Sequence, residues 1–180
     1  MRGKLCFVAL ALVLLVAAAC RPALPQGDTG SVALFPFFNQ ELGIQGVVPH
    51  GCAQVGSDTF ECTNLTSEQD FVVLVQSAVT GTMDDLVTIV LDQTGFSELP
   101  EPTDRYKGRA FTWDLYTGET QLTDAGDAAN QTVHLDLALA EGDAAAYIVA
   151  LVTLPEAYNA NPVVYDTIFT RAAYALAPLE

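Results

Sequence analysis

The sequence predicts an α+β fold built on antiparallel hairpins and carrying two helices. Three observations lead there. Segments of period-two hydrophobicity recur along the chain, most regularly at Val133–Ala140. Two stretches instead show helical spacing, Met83–Val90 and Tyr165–Leu176, each beginning with a capping signal. Their order is strands, helix, strands, helix, without an internal repeat.

The elements follow in turn. Leu34–Asn39 is an apolar strand interrupted by Pro36, which places it at an edge or a bend. Ile44–Val48 and Thr59–Asn64 are further strands, with Gly56-Ser57-Asp58 as turn material before the latter. Phe71–Ala78 is a near-continuous run rich in valine, the composition of an interior strand. Over Thr80–Gly95, Thr82 caps a helix and Asp85 completes a capping box, with Asp in place of Glu. Met83, Leu86, Val87 and Val90 form its apolar stripe, and Gly95 is its stop. After the breaker LPEPT, Arg109–Tyr116 alternates, with Phe111, Trp113 and Leu115 on one face. Val133, Leu135, Leu137 and Leu139 face one way from the next strand, and His134, Asp136, Ala138 and Ala140 the other. Gly142-Asp143 then turns the chain into Ala144–Thr153, a strand covered on both faces and paired as an antiparallel hairpin. Asn161 as cap and Pro162 at the first position open a terminal helix with Tyr165, Ile168, Phe169, Ala172 and Leu176 as its stripe.

The first nineteen residues have the layout of an export signal: Arg2 and Lys4, an unbroken apolar run from Leu5 to Val16, then small residues. The run is short of the ~20 residues that cross a bilayer. Ala18-Ala19-Cys20 resembles the lipobox of bacterial lipoproteins, although Ala17 stands where leucine is usual. That resemblance implies a diacylglycerol on the sulfur of Cys20, which becomes the first residue, and a lipid anchor to the membrane. Ordinary cleavage after Ala17-Ala18-Ala19 is the alternative. Residues 21–31, RPALPQGDTGS, read as a flexible tether, and residues 32–180 as one domain.

Removing the leader discards Cys6 and leaves Cys20, Cys52 and Cys62. If Cys20 carries lipid, the other two are free to pair, and export places them where a disulfide persists. With Gly56-Ser57-Asp58 as the turn, Cys52 lies opposite Cys62 across a hairpin. Removing Arg2 and Lys4 from seven basic residues leaves five against 22 acidic ones, a net charge near −17. Five scattered cations build no phosphate-neutralising patch, so nucleic acid is not expected as a partner.

The stretch FFNQELGIQGVVP, Phe37–Pro49, with the subsequent order of hairpin, strand, helix, strands and terminal helix, resembles PsbP-like domains over most of Leu34–Leu179. This implies a three-layer α/β/α fold with a mainly antiparallel sheet. GIQGVVPHG, the Met83-Asp84-Asp85-Leu86 helix start, GRAFTWDLY and HLDLALAEGDAAAYIVALV are similar to small modules attached to serine hydrolases in environmental bacteria. That likeness implies a non-catalytic accessory or binding domain. Such modules usually carry tryptophan where this chain has Cys52.

Other clusters are weaker. A metal at His50, Cys52 and Cys62 lacks the close ligand pairs of zinc sites, and redox work would favour C-x-x-C, which is absent. His134 and Asp136 share a strand face, but residues two apart stand about 6.5–7 Å apart, too far for a direct contact between short side chains. A covered polar face is the simpler reading, and no nucleophile elbow accompanies the pair. Asp124, Asp127 and Asn130 do not match a calcium loop and read as a solvated turn. Arg105, Lys107 and Arg109 would share one face of an extended strand. They either contact an anionic partner or balance local acid, and the second reading is the simpler. The sequons at Asn64 and Asn130 are treated as chance in a bacterial chain.

The expectation is thus a lipoprotein at the extracytoplasmic face of a cell membrane, with no catalytic residue, metal or cofactor assigned. It would act as a binding or accessory module for an envelope protein. A small-ligand carrier is the alternative, and an enzyme of unfamiliar type ranks lowest.

Overall fold

The computed structural model describes residues 32–63, 65–66, 71–94, 96–121 and 131–179. The signal, Cys20, the tether, Gly95, both sequon asparagines and the residues Asp124, Asp127 and Asn130 lie outside this range.

Two antiparallel sheets form, not one. The larger has seven strands in the order β3 (Ala53–Gln54), β4 (Thr59–Thr63), β5 (Phe71–Thr80), β9 (Ala145–Thr153), β8 (Thr132–Glu141), β7 (Thr112–Gln121) and β6 (Asp104–Lys107). The smaller contains β1 (Leu34–Asn39), β2 (Ile44–Pro49) and β10 (Ala177–Pro178). Helix α1 (Met83–Thr94) covers one face of the large sheet. The short α2 (Pro155–Ala160), the terminal α3 (Pro162–Ala175) and the small sheet cover the other. This is an α+β architecture with a mainly antiparallel sheet between helical layers.

Alternation in β8 builds the two halves of the core. Leu135, Leu137 and Leu139 pack with Leu86 and Val90 of α1. Ala138 and Ala140 pack with Tyr165, Ile168 and Phe169 of α3. The β8–β9 hairpin is antiparallel, with Leu137 opposite Ala150. The capping box of α1 is formed: the Thr82 N–H donates to Asp85 Oδ2 at 2.8 Å, and the Asp85 N–H to Thr82 Oγ1 at 3.3 Å. These bonds favour the Asp85 carboxylate and lower its pKa.

A polar stitch ties the small sheet to β5 of the large one. Gln76, fully buried on β5, donates through Nε2 to the Val47 carbonyl at 2.7 Å. Gly46 permits that approach, since a Cβ there would lie 2.4 Å from Gln76 Oε1. Phe37 closes the seam edge-on to Phe60, with ring centroids 5.0 Å apart.

Three local expectations change. Arg109–Tyr116 is not one strand: β6 and β7 form a hairpin whose turn is closed by the Gly108 N–H donating to Phe111 O at 2.9 Å. A Cβ on Gly108 would lie 2.8 Å from Trp113 Nε1 and 3.0 Å from Ala173 O, so glycine lets the turn sit on the core. Helix α2 is an addition to the expected elements, and Pro155 and Glu156 open it with the residues a first turn favours. Asn161 makes no side-chain cap. Its Nδ2 donates to Thr66 Oγ1 at 3.3 Å, while its N–H closes the end of α2.

Candidate functional site

Two places combine polar chemistry with an unusual setting: a buried cluster around His134 and Asp136, and an open groove beside α3.

The buried cluster depends on α2. His134 and Asp136 are 8% and 5% exposed. The Tyr158 ring of α2 stacks on the imidazole, with centroids 3.5 Å apart and planes 17° apart. Tyr158 donates its hydroxyl to Asp166 Oδ1 of α3 at 2.8 Å. Thr117 of β7, opposite Asp136 in register, donates to Asp136 Oδ1 at 2.6 Å. His134 Nε2 and Asp136 Oδ2 approach to 3.1 Å, correcting the expectation that the pair is too far apart to touch. Both residues lie on β8, and their two side chains lean together along it. The contact lies off the ring's N–H direction, so neither atom has a well-aligned hydrogen bond.

Burial pushes the Asp136 carboxyl upward, opposed by the Thr117 hydroxyl and by His134. Burial also raises the Tyr158 phenol, reinforced by its bond to Asp166. The order of contacts is hydroxyl, carboxylate, imidazole. A nucleophile of the serine-hydrolase type needs the imidazole in the middle, touching the hydroxyl. The cluster therefore has the arrangement of a fastening between sheet and helices.

Its pH behaviour follows. A carboxyl whose pKa is raised on folding contributes most stability below its unfolded value, about 4, and loses that contribution as pH rises through the folded value. Asp136→Asn keeps an acceptor for Thr117 and removes the charge. Urea titrations at several pH values should show the variant gaining on the native chain between pH 4 and pH 7. A difference independent of pH would mean that the carboxyl is effectively solvated.

The groove is assembled from distant parts of the chain. Leu34 of β1, Val47 of β2, Tyr106 of β6, and Thr170, Arg171 and Tyr174 of α3 line an open cavity of about 560 Å³. Register explains the composition. Pro36 pairs with Val47 and Phe38 with Gln45, so Leu34, Pro36 and Phe38 share the outer face of β1 with Val47. Phe38 is 65% exposed and Tyr174 52% exposed, unusually high for large apolar rings. β1 has a strand neighbour on only one side among the described residues.

The cations gather near this groove. Arg105 pairs with Asp114 at 2.6 Å, consistent with local charge balancing. Among the described residues no other lysine or arginine is in an ion pair, which leaves Lys107, Arg109 and Arg171 unneutralised by direct contact. Arg109 stands in the β6–β7 turn, not on the strand with the other two, and its N–H donates to Tyr174 O at 3.0 Å. That bond joins the turn to the stretch of α3 that carries Arg171. A second, apolar cavity lies on the opposite side of the sheet, lined by Phe96, Leu99, Tyr116 and Leu137, with a volume of only about 30 Å³, room for about one water.

Cys52 and Cys62 are joined by a disulfide, one step along the register from the Ala53–Glu61 pair. Neither sulfur is a free thiolate, and His50 instead packs against Phe35, with ring centroids 5.1 Å apart. No group of three or more histidine, cysteine or acidic side chains placed to hold a metal occurs among the described residues.

No protein-family model and no curated protein matches the chain. Among solved structures, it is similar to cyanobacterial PsbP (CyanoP) from Synechocystis sp. PCC 6803, with 12% identity and a TM-score of 0.47, over 87% of this chain and 99% of that one. It is also similar to the Ran-binding protein Mog1p of Saccharomyces cerevisiae, with 13% identity and a TM-score of 0.48, over 83% of this chain and 97% of that one. Both are likenesses of fold.

Proposed function

We propose that the chain is a lipid-anchored extracytoplasmic lipoprotein whose domain is a non-catalytic binding or accessory module for an envelope protein. The observation that carries the binding role is the apolar strip Leu34-Pro36-Phe38, continuous with the groove beside Tyr174. Exposed aromatic side chains on an edge strand are costly to leave bare and mark contact surfaces. The open groove suits a protein segment better than an enclosed carrier pocket, which would bury most of a small ligand. The Ala18-Ala19-Cys20 signal supports attachment through Cys20, and the resemblance to hydrolase-attached modules favours an envelope hydrolase as partner.

Cys20→Ala should move the protein from the membrane fraction to the soluble extracytoplasmic fraction. Continued membrane association of the variant would count against the lipid anchor. A photo-crosslinker at Phe38 in intact cells should join the chain to one envelope protein in stoichiometric yield, whereas one at Ile89 on the opposite helix should not. Equal yields at the two sites would remove the surface from consideration.

A further inference from the structure

We propose that the groove between β2, β6 and α3 receives an extended acidic segment of the partner protein. A carboxylate of that segment meets Arg171, and its apolar side chains lie on Tyr174, Leu34 and the outer face of β1. This deepens the binding role above and rests on it.

Charge identifies the occupant. Among the described residues, Arg171 is the one ionised side chain that lines the groove. It is exposed, has no ion-pair partner among the described residues, and has no carboxylate one helical turn away: Thr167, Ile168, Tyr174 and Ala175 occupy those positions. In a chain with 22 acidic residues and seven basic ones, a bare arginine beside the exposed Tyr174 ring is out of keeping with the rest of the surface. Lys107 and Arg109 stand at the same corner, also without an ion-pair partner among the described residues. Local balancing accounts for Arg105 alone. A guanidinium binds a carboxylate through two parallel hydrogen bonds, which fixes position as well as charge.

Shape identifies the conformation. The strip Leu34-Pro36-Phe38 repeats every second residue, the spacing at which an extended peptide presents one face. An acidic and apolar segment alternating at that period places its apolar side chains along the strip while a carboxylate reaches Arg171.

The protein's overall field opposes such a partner, and this makes the test sharp. At about 0.15 M salt the Debye length is about 8 Å, so the distant carboxylates are screened while contact with Arg171 is not. Two fluorescein-labelled ten-residue peptides, one alternating Glu and Leu and one alternating Lys and Leu, are titrated into the full chain at that salt and followed by fluorescence anisotropy. The Glu–Leu peptide should bind at least ~10-fold tighter than the Lys–Leu peptide, against the sign of the net charge. Arg171→Glu should remove that preference, and Arg171→Lys should keep part of it. Arg105→Glu, at the ion pair with Asp114, should leave it unchanged. Tighter binding of the Lys–Leu peptide, no binding of either, or a Glu–Leu affinity indifferent to Arg171→Glu would each overturn the proposal. If the peptides fail while the crosslink from Phe38 persists, the binding role stands and the acidic chemistry falls. Loss of both removes the role itself.

Discussion

Trp113→Ala should cost about 3–5 kcal/mol of folding stability, the range for deleting a fully buried large aromatic side chain. Trp113 is the chain's single tryptophan and is completely buried. It faces Tyr106 across the β6–β7 register and meets the Phe111 ring edge-on at 5.4 Å. Its Nε1 lies under Gly108 without a hydrogen-bond partner, so the ring gives packing without a polar contribution. Trp113→Phe, which also removes the unpaired N–H, should therefore cost much less than the alanine change. Urea unfolding followed by circular dichroism reads both variants, since tryptophan fluorescence is lost. A cost below about 1 kcal/mol for the alanine variant would mean that the site collapses to fill the space. The same variant should weaken groove binding, because the turn resting on Trp113 carries Arg109 and continues the strand that carries Tyr106.

This hairpin also shows where the sequence was legible and where it was not. Periodicity found the strand that contains Trp113, because Phe111, Trp113 and Leu115 alternate. It did not find β6, since Asp104–Lys107 has one inward residue, Tyr106, and three charged ones that look like surface. The capping box at Thr82 and Asp85 was readable because it is a local contact over three residues. Gln76 lies inside an apolar run, and nothing nearby in sequence signals that its partner is Val47, 29 residues away. The groove was invisible for the same reason: it joins Leu34 to Tyr174. Its one sequence trace was the cation cluster, whose simpler reading as charge balance fits Arg105 alone. For His134 and Asp136, strand geometry puts both on one face of β8, but it does not show that the side chains lean together beneath Tyr158.

Breaking the Cys52–Cys62 bond should cost about 2–3 kcal/mol, the chain-entropy value for a loop of this length. The bond spans ten residues. Little else holds its first arm: β3 has two residues, Ala53 and Gln54, both exposed. Beyond them the turn is closed by the Val55 N–H donating to Thr59 O at 3.0 Å. The second arm is secure without the bond. Cys62 is buried in the core, and β4 pairs with β5 through Phe60–Leu74 and Cys62–Val72. Loss of the bond should therefore free β3 and the turn while β4 stays in the sheet. The turn also touches the small sheet, because Ser57 O accepts from Asn39 at the end of β1. The seam that presents Phe38 should loosen with it. Denaturant midpoints of the oxidised chain, the reduced chain and the Cys52→Ala/Cys62→Ala variant separate the causes. The reduced chain loses the loop constraint alone, and the variant adds the small cavity at buried Cys62. Hydrogen exchange should accelerate at Ala53 and Val55 on reduction and remain slow at Phe60 and Leu74. Equal midpoints for the oxidised and reduced chains would show that the hairpin is held by its backbone pairing, and the disulfide would then have no part in shaping the binding face.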